Sequence, residues 1–132
     1  MILLDTHVLI WWIEKAGKLS SKANRKIEQA KKKGEILISS ISIWEICMLI
    51  KKGKIKLSMD VNSWIQQLES ASYIKFIPLD NQIAAKSVEL LDLIQGDPAD
   101  RIIIATARQY GATLITSDKR ILNYKHVQTL KS

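Results

Sequence analysis

The sequence predicts an α/β fold, a three-layer αβα sandwich around a central, mostly parallel five-stranded sheet. Three observations predict it. Short apolar runs bounded by turn or cap residues recur at about 2–5, 36–39, 73–77, 112–116 and 126–129. Helical patterns fill the intervals, and strands alternating with helices make a parallel sheet covered on both faces. The chain has 132 residues, 47% of them hydrophobic and 25% charged, which suits one globular domain with a real core but not two.

The elements follow in order. Ile2-Leu3-Leu4 is a strand that ends at Asp5. Residues 7–15 are nearly all apolar, so that helix is buried or lies in an interface. Residues 20–33 carry a thin stripe, Ala23, Ile27 and Ala30, with bases elsewhere. After the strand at 36–39, residues 42–52 form a helix that is apolar on almost every face. Residues 60–70 and 81–94 are amphipathic helices on either side of the strand at 73–77. Ile83, Val88, Leu90, Leu91 and Ile94 mark the second of them. The helix at 98–110 opens after Asp97-Pro98 and closes at Gly111, which suits a helix C′ position. Strands at 112–116 and 126–129 complete the sheet. No repeat, linker or low-complexity segment interrupts this order.

Composition narrows the setting. Cys47 is the only cysteine, which excludes an internal disulfide. Its apolar surroundings assign it the role of a small buried hydrophobe in a reducing compartment. The start of the chain has no basic segment and no cleavage site of the secretory kind. The longest low-charge stretch, Ile36 to Ile50, is broken by serines and Glu45, short of the roughly 20 apolar residues a membrane span needs. The expectation is a soluble cytoplasmic protein with no membrane partner.

Charge points to an acidic partner. The net charge is +7. Eight Lys or Arg lie between Lys15 and Lys33 against one acid, Glu28, and Lys51, Lys52, Lys54 and Lys56 form a second group. Either cluster alone reads equally well as a solvated helix face. Together they fit a nucleic-acid backbone, RNA or DNA.

The residues that carry chemistry are four carboxylates: Asp5, Glu45, Asp100 and Asp118. Each is expected at a strand-to-helix junction or within the first helical turn. In a parallel sheet the strand C-termini share one edge, and ligand sites form in the crevice there. Each acid also has a local role open to it. Ser42-Ile43-Trp44-Glu45 spells a capping box, and Asp97-Pro98-Ala99-Asp100 spells an N-cap, a proline at N1 and an acid at N3. Asp5 or Thr6, and Ser117 or Asp118, could cap the helices that follow them. Glu45 argues for more than capping, because its neighbours are Ile41, Ile43, Trp44, Ile46, Cys47 and Met48, and a buried charge must be paired or ligated. The sequence places no obvious cation among the four acids. A hard divalent metal, which prefers carboxylate oxygens, is the simplest way to neutralise them.

Other residues are weaker signals. His7 has no second histidine or cysteine at ligand spacing and reads as a packed side chain. Trp11, Trp12, Trp44 and Trp64 are assigned to core or interface positions, not to base stacking. No phosphate-cradling glycine loop and no Gly-x-Ser-x-Gly elbow is present.

Four motifs in order carry a family likeness: Leu3-Leu4-Asp5-Thr6-His7-Val8-Leu9-Ile10-Trp11, Ser42-Ile43-Trp44-Glu45-Ile46, Gly96-Asp97-Pro98-Ala99-Asp100-Arg101 and Leu114-Ile115-Thr116-Ser117-Asp118. They resemble PIN-domain proteins, and among those the VapC-type toxins of bacterial toxin–antitoxin pairs. The likeness implies a single PIN-like nuclease domain over 1–132. It implies a ribonuclease that uses Mg²⁺ or Mn²⁺ held by Asp5, Glu45, Asp100 and Asp118. Thr6 and Thr116 or Ser117 would support these acids, with Asp97 a peripheral acid. The sequence departs from the family pattern at Gln95, where a histidine is common, and at Ala99, where an aromatic is common. Arg101 reads either as a phosphate contact or as a local ion pair. The expected partners are an RNA substrate, an antitoxin protein and a second copy of the chain. The dimer is expected because the helices at 7–15 and 42–52 carry more apolar surface than one sheet can cover. Three other readings remain open from sequence: a non-toxin RNA-processing nuclease of the same family, a non-catalytic RNA-binding module, and a receiver-like signalling domain. The last needs a tight acidic pair after the first strand, where this chain has Asp5-Thr6.

Overall fold

In the computed structural model, which describes residues 1–91 and 97–132, the expected sandwich forms. The strands are β1 (Ile2–Leu4), β2 (Ile36–Ser39), β3 (Ile74–Ile77), β4 (Thr113–Thr116) and β5 (Thr129–Lys131). The helices are α1 (Thr6–Ile13), α2 (Ser21–Lys33), α3 (Ser40–Lys51), α4 (Val61–Ser70), α5 (Asn81–Val88), α6 (Pro98–Tyr110) and α7 (Lys119–Leu122). The sheet order is β3-β2-β1-β4-β5, and every pairing is parallel. The chain winds outward from β1 through β2 to β3, then returns to the other side of β1 for β4 and β5. The switch point, where an open sheet of this kind leaves a crevice, therefore lies between the C-terminal ends of β1 and β4.

Strand alternation splits the core into two layers. Ile2, Leu4, Ile36, Ile38 and Ile115 face one side and pack with Val8, Leu9, Ile27, Ile46, Trp64 and Leu68. Leu3, Leu37, Ile77 and Leu114 face the other and pack with Ile83, Ile103, Ile104, Ala107 and Ile121. Burial on both faces explains why β1 and β2 read as continuous apolar runs in the sequence.

Local chemistry sets most helix boundaries. The α6 signature holds as spelled: Asp97 caps the Asp100 N–H at 3.1 Å, Pro98 opens the helix, and Gly111 closes it at φ 61, a left-handed conformation that glycine adopts without strain. Ser39, not Ser42, caps α3, its hydroxyl accepting from the Ile41 N–H at 3.2 Å. The expected capping box at 42–45 is therefore not formed, and Glu45 lies in the second turn. β5 falls at 129–131 instead of 126–129, because the register sets Leu114 opposite Thr129 while the His126 ring packs on Tyr124. The single-turn α7 is capped by Asp118, one of the two caps the sequence offered there. α5 ends at Val88 and residues 89–91 are not helical, so the expected helix at 81–94 stops short; residues 92–94 and Gln95 lie outside the described residues.

Cys47 is exposed, contrary to its expected burial. On α3 only Ser42 and Ile46 are buried, so Cys47 and Trp44 fall on the outer surface. No described helix is long and apolar enough to cross a membrane.

Candidate active site

The fold brings three of the four acids to the switch point through their strand ends or helix starts. Asp5 follows β1 and caps α1, its Oδ1 accepting from the Thr6 N–H at 2.8 Å. Asp118 follows β4 and caps α7, accepting from the Arg120 N–H at 2.9 Å. Asp100 sits in the first turn of α6, and Glu45 projects from the second turn of α3. Capping and membership of the site are thus compatible for Asp5 and Asp118, since a carboxylate that caps one N–H keeps other lone pairs.

Buried hydroxyls brace one side. Thr116 is fully buried and donates its hydroxyl to Asp5 Oδ2 at 2.6 Å, while its oxygen accepts from the Asp118 N–H at 3.1 Å. Thr6, also buried, lies 2.6 Å from Glu45 Oε1 and 2.9 Å from the Ser42 hydroxyl. Thr6 and Thr116 thus each hydrogen-bond one of these carboxylates. Ser117 is exposed and makes no side-chain hydrogen bond among the described residues. Ser42 is the support that sequence reasoning missed, because its place in an apparent capping box hid the fact that it points inward.

A second missed residue lies on the other side. The Arg120 guanidinium bridges Asp118 Oδ2 at 2.9 Å and Asp100 Oδ2 at 3.2 Å. The acids therefore do have a cation among them, contrary to the expectation from sequence. The available signal was a base two residues after an acidic cap. Arg101 is half-buried and forms no ion pair among the described residues, so the local-pair reading finds no support. His7 is exposed and tilts against Trp11 with ring centroids 6.0 Å apart, a packed histidine as expected.

The carboxylates are partly buried and feel one another's charge. Burial and the charges of Asp97, Asp5, Asp118 and Glu45 push the Asp100 carboxyl up to about 7. Burial raises Asp5, against the hydrogen bonds from Thr116 and Thr6. Burial also raises Glu45, helped by the charges of Asp97 and Asp5. Asp118 moves the other way, lowered first by its hydrogen bond from Arg120. Like charges that raise one another's pKa favour any cation that enters.

The donor set suits a hard divalent ion: four carboxylates, with no sulfur or imidazole bonded to them among the described residues. As they stand, no three His, Cys, Asp or Glu among the described residues are grouped tightly enough to enclose an ion. Mg²⁺ keeps several of its waters when bound, so carboxylates too far apart to enclose a bare ion still suit it.

The arrangement defines a class, an open parallel α/β protein with an oxygen-donor acidic site at the switch point of its sheet. More narrowly, the chain belongs to the PIN domain family, whose pattern matches residues 2–127. It is 38% identical over 125 residues to Ribonuclease VapC22 of Mycobacterium tuberculosis, covering 95% of this chain and 92% of that protein. It is 32% identical over 90 residues to Ribonuclease VapC1 of Thermoplasma acidophilum, covering 68% of this chain and 42% of the relative. In fold it is similar to VapBC2 from Rickettsia felis bound to a promoter DNA fragment, with a TM-score of 0.72, 23% identity, and coverage of 100% and 99% of the two chains. It also resembles DNA-bound VapBC from Salmonella typhimurium, with a TM-score of 0.69, 18% identity, and coverage of 99% and 98%.

Proposed function

We propose that this chain is a divalent-metal-dependent ribonuclease that hydrolyses phosphodiester bonds, and that it is the toxin of a toxin–antitoxin pair. The observation that carries the reading is the convergence of Asp5, Glu45, Asp100 and Asp118 at the switch point, three of them with raised pKa. The ribonuclease relative aligned over 95% of the chain supports the substrate class. A further fold neighbour, a toxin–antitoxin complex from Klebsiella pneumoniae with a TM-score of 0.64 and 22% identity, supports the partner.

Asp5, Glu45, Asp100 and Asp118 would hold Mg²⁺ or Mn²⁺. When bound, the ion supplies Lewis acidity and lowers the pKa of an attacking water. Thr6, Ser42 and Thr116 fix the carboxylates of Glu45 and Asp5 so that little reorganisation accompanies the reaction. Asp5 or Asp118 orients the water and accepts its proton. Arg120 trades its carboxylate partners for a phosphate oxygen as the substrate enters, and Arg101, one residue beyond Asp100, offers a second phosphate contact. The basic clusters at 15–33 and 51–56 hold the RNA backbone outside the crevice. Half-buried apolar side chains on α1 and α3, among them Trp11, Ile43, Met48 and Leu49, support a two-fold homodimer. A mass near 15 kDa across a dilution series in light scattering would sink that dimer.

The test is cleavage of single-stranded RNA by the purified protein, with 5′ ends of the products sequenced. Cleavage should require Mg²⁺ or Mn²⁺ and stop with a chelator. Asp5→Asn should lower the rate by roughly 10²- to 10³-fold while the fold persists. Near-normal cleavage by Asp5→Asn, or full activity in chelator, overturns the assignment.

A further inference from the structure

Beside the acidic crevice lies an apolar pocket of about 320 Å³ that the reaction as described does not use. It is lined by Ile41, Trp44, Asp97, Pro98 and Ala99. Its volume falls at the small end of the roughly 300–1,000 Å³ that ligand pockets occupy. Two elements of the site make its walls. Trp44 immediately precedes Glu45 on α3, and Asp97, Pro98 and Ala99 form the cap and first turn of α6, which carries Asp100. Trp44 is 58% exposed, although the other three tryptophans are buried or half-buried. Trp64 fills the core, Trp12 meets the edge of Tyr73, and Trp11 lies against His7. The core-or-interface role that sequence assigns to all four therefore leaves Trp44 without a core function.

The chemistry of the pocket selects its occupant. Its wall is almost entirely apolar, Asp97 is the one charged residue that lines it, and no cation lines it among the described residues, so a phosphate gains nothing there. A flat, uncharged ring with N–H donors on one edge fits both features. Asp97 Oδ1 already accepts from the Asp100 N–H, which orients the carboxylate and leaves one lone pair on Oδ1 and those of Oδ2 to accept from a ligand. A nucleotide whose phosphate reaches the acids carries such a ring a few bonds away. We propose that this pocket holds one nucleobase of the RNA next to the scissile phosphate, stacked on Trp44 and read by Asp97, with guanine preferred. Guanine presents two adjacent donors, its ring N–H and exocyclic amine, on the edge a carboxylate accepts from. Sequence-specific RNA recognition generally uses this combination of aromatic stacking and hydrogen bonds to a splayed base. The inference rests on the ribonuclease reading and deepens it.

Two measurements test it on the intact protein with Mg²⁺. In the first, wild type cuts a randomised single-stranded RNA pool and the cut ends are sequenced. Guanine should be enriched at one fixed position beside the cut. Asp97→Asn, which still caps α6 because Asn is as good an N-cap as Asp, should lose that enrichment. In the second, Trp44→Ala should raise KM for a guanine-containing substrate by roughly 5- to 100-fold, the span of base–aromatic stacking, with kcat within about threefold, as loss of uniform binding requires. Trp44→Phe should restore most of the affinity. Because Trp44 is exposed, the alanine variant should melt within a few degrees of wild type. A wild-type protein that neither binds nor cuts RNA overturns both the ribonuclease reading and this one. Normal cleavage with no base enrichment, or an unchanged KM in Trp44→Ala, overturns this inference alone. Loss of self-association or of antitoxin binding in Trp44→Ala, with RNA kinetics intact, gives the surface to a protein partner and overturns it equally.

Discussion

On one side of the crevice, Asp5 and Glu45 share their lone pairs with the hydroxyls of Thr116 and Thr6, which are themselves buried. On the other, Asp100 and Asp118 share a guanidinium that is 52% exposed. Both arrangements lower the cost of holding carboxylates together, by different means. Neutral donors set in the core fix an orientation and cannot leave. A charged donor on a long, solvated side chain neutralises more but holds loosely, since exposed ion pairs contribute only about 0–1 kcal/mol. The braced half is suited to hold its acids in place. The bridged half is suited to release them when another cation or a phosphate arrives.

The largest effect should come from breaking the braced half. Thr116→Val leaves Asp5 Oδ2 and the Asp118 N–H without their partner. Stability should fall by about 1–3 kcal/mol, and cleavage by roughly 10- to 100-fold, as when a ligand's supporting partner is removed. Thr116→Ser should recover most of both. Thermal melts and initial rates on the three proteins decide it, and a Thr116→Val protein with wild-type rates would mean that the brace is idle.

Asp100 gives the next effect, and its sign depends on pH. Its folded pKa, about 7, lies above its unfolded value of 3.8. The stability it contributes is present below pH 4 and lost as pH rises through 7. Asp100→Asn cannot ionise, so without metal it should melt above wild type at pH 8 and level with it near pH 4. Solvent reaches the group, so only about 1–2 kcal/mol of the effect should survive, or roughly 3–8 °C. Saturating Mg²⁺ should reverse the order at pH 8, because only wild type gains full binding energy. A variant that melts below wild type at pH 8 without metal would show that Asp100 is held by Arg120 and not strained by its neighbours.

Arg120→Gln probes the bridged half directly. Stability should change by less than about 1 kcal/mol. The Mg²⁺ dissociation constant should fall by a factor of about 2 to 5, since no guanidinium is left to displace. Calorimetric titration reads this separately from activity, and weaker Mg²⁺ binding would assign Arg120 to positioning the acids.

The smallest effect per residue belongs outside the crevice. Each phosphate-binding Lys or Arg neutralised within the clusters at 15–33 and 51–56 should lower the log–log salt slope of RNA binding by roughly 0.7. An unchanged slope after both clusters are neutralised would move the backbone path elsewhere.

The comparison also separates what was legible from what was not. Apolar runs interleaved with helical patterns were enough for the sandwich, because period and cap chemistry are local: Asp97-Pro98 and Gly111 bound α6 as spelled. Three acids of the candidate site were nameable from their junction positions; Glu45 was nameable from its apolar neighbours, though it lies in the second turn of α3 and not at a junction. Their partners were not. Ser42 looked like a cap until Ser39 took that place and Ser42 turned toward Thr6, 36 residues away. Thr116 reaches Asp5 across 111 residues of chain, a bond that exists only because β1 and β4 are neighbours in the sheet. The exposure of Trp44 and Cys47 likewise depended on which side of α3 the sheet covered, and an all-apolar helix carries no periodicity to announce it. Sequence by itself determined most of the elements and named the candidate acids, since propensity, capping and charge act over a few residues. Tertiary structure alone decided which hydroxyls and which arginine meet those acids and which tryptophan stays exposed, because strand order brings distant segments to one edge and no local rule encodes that order.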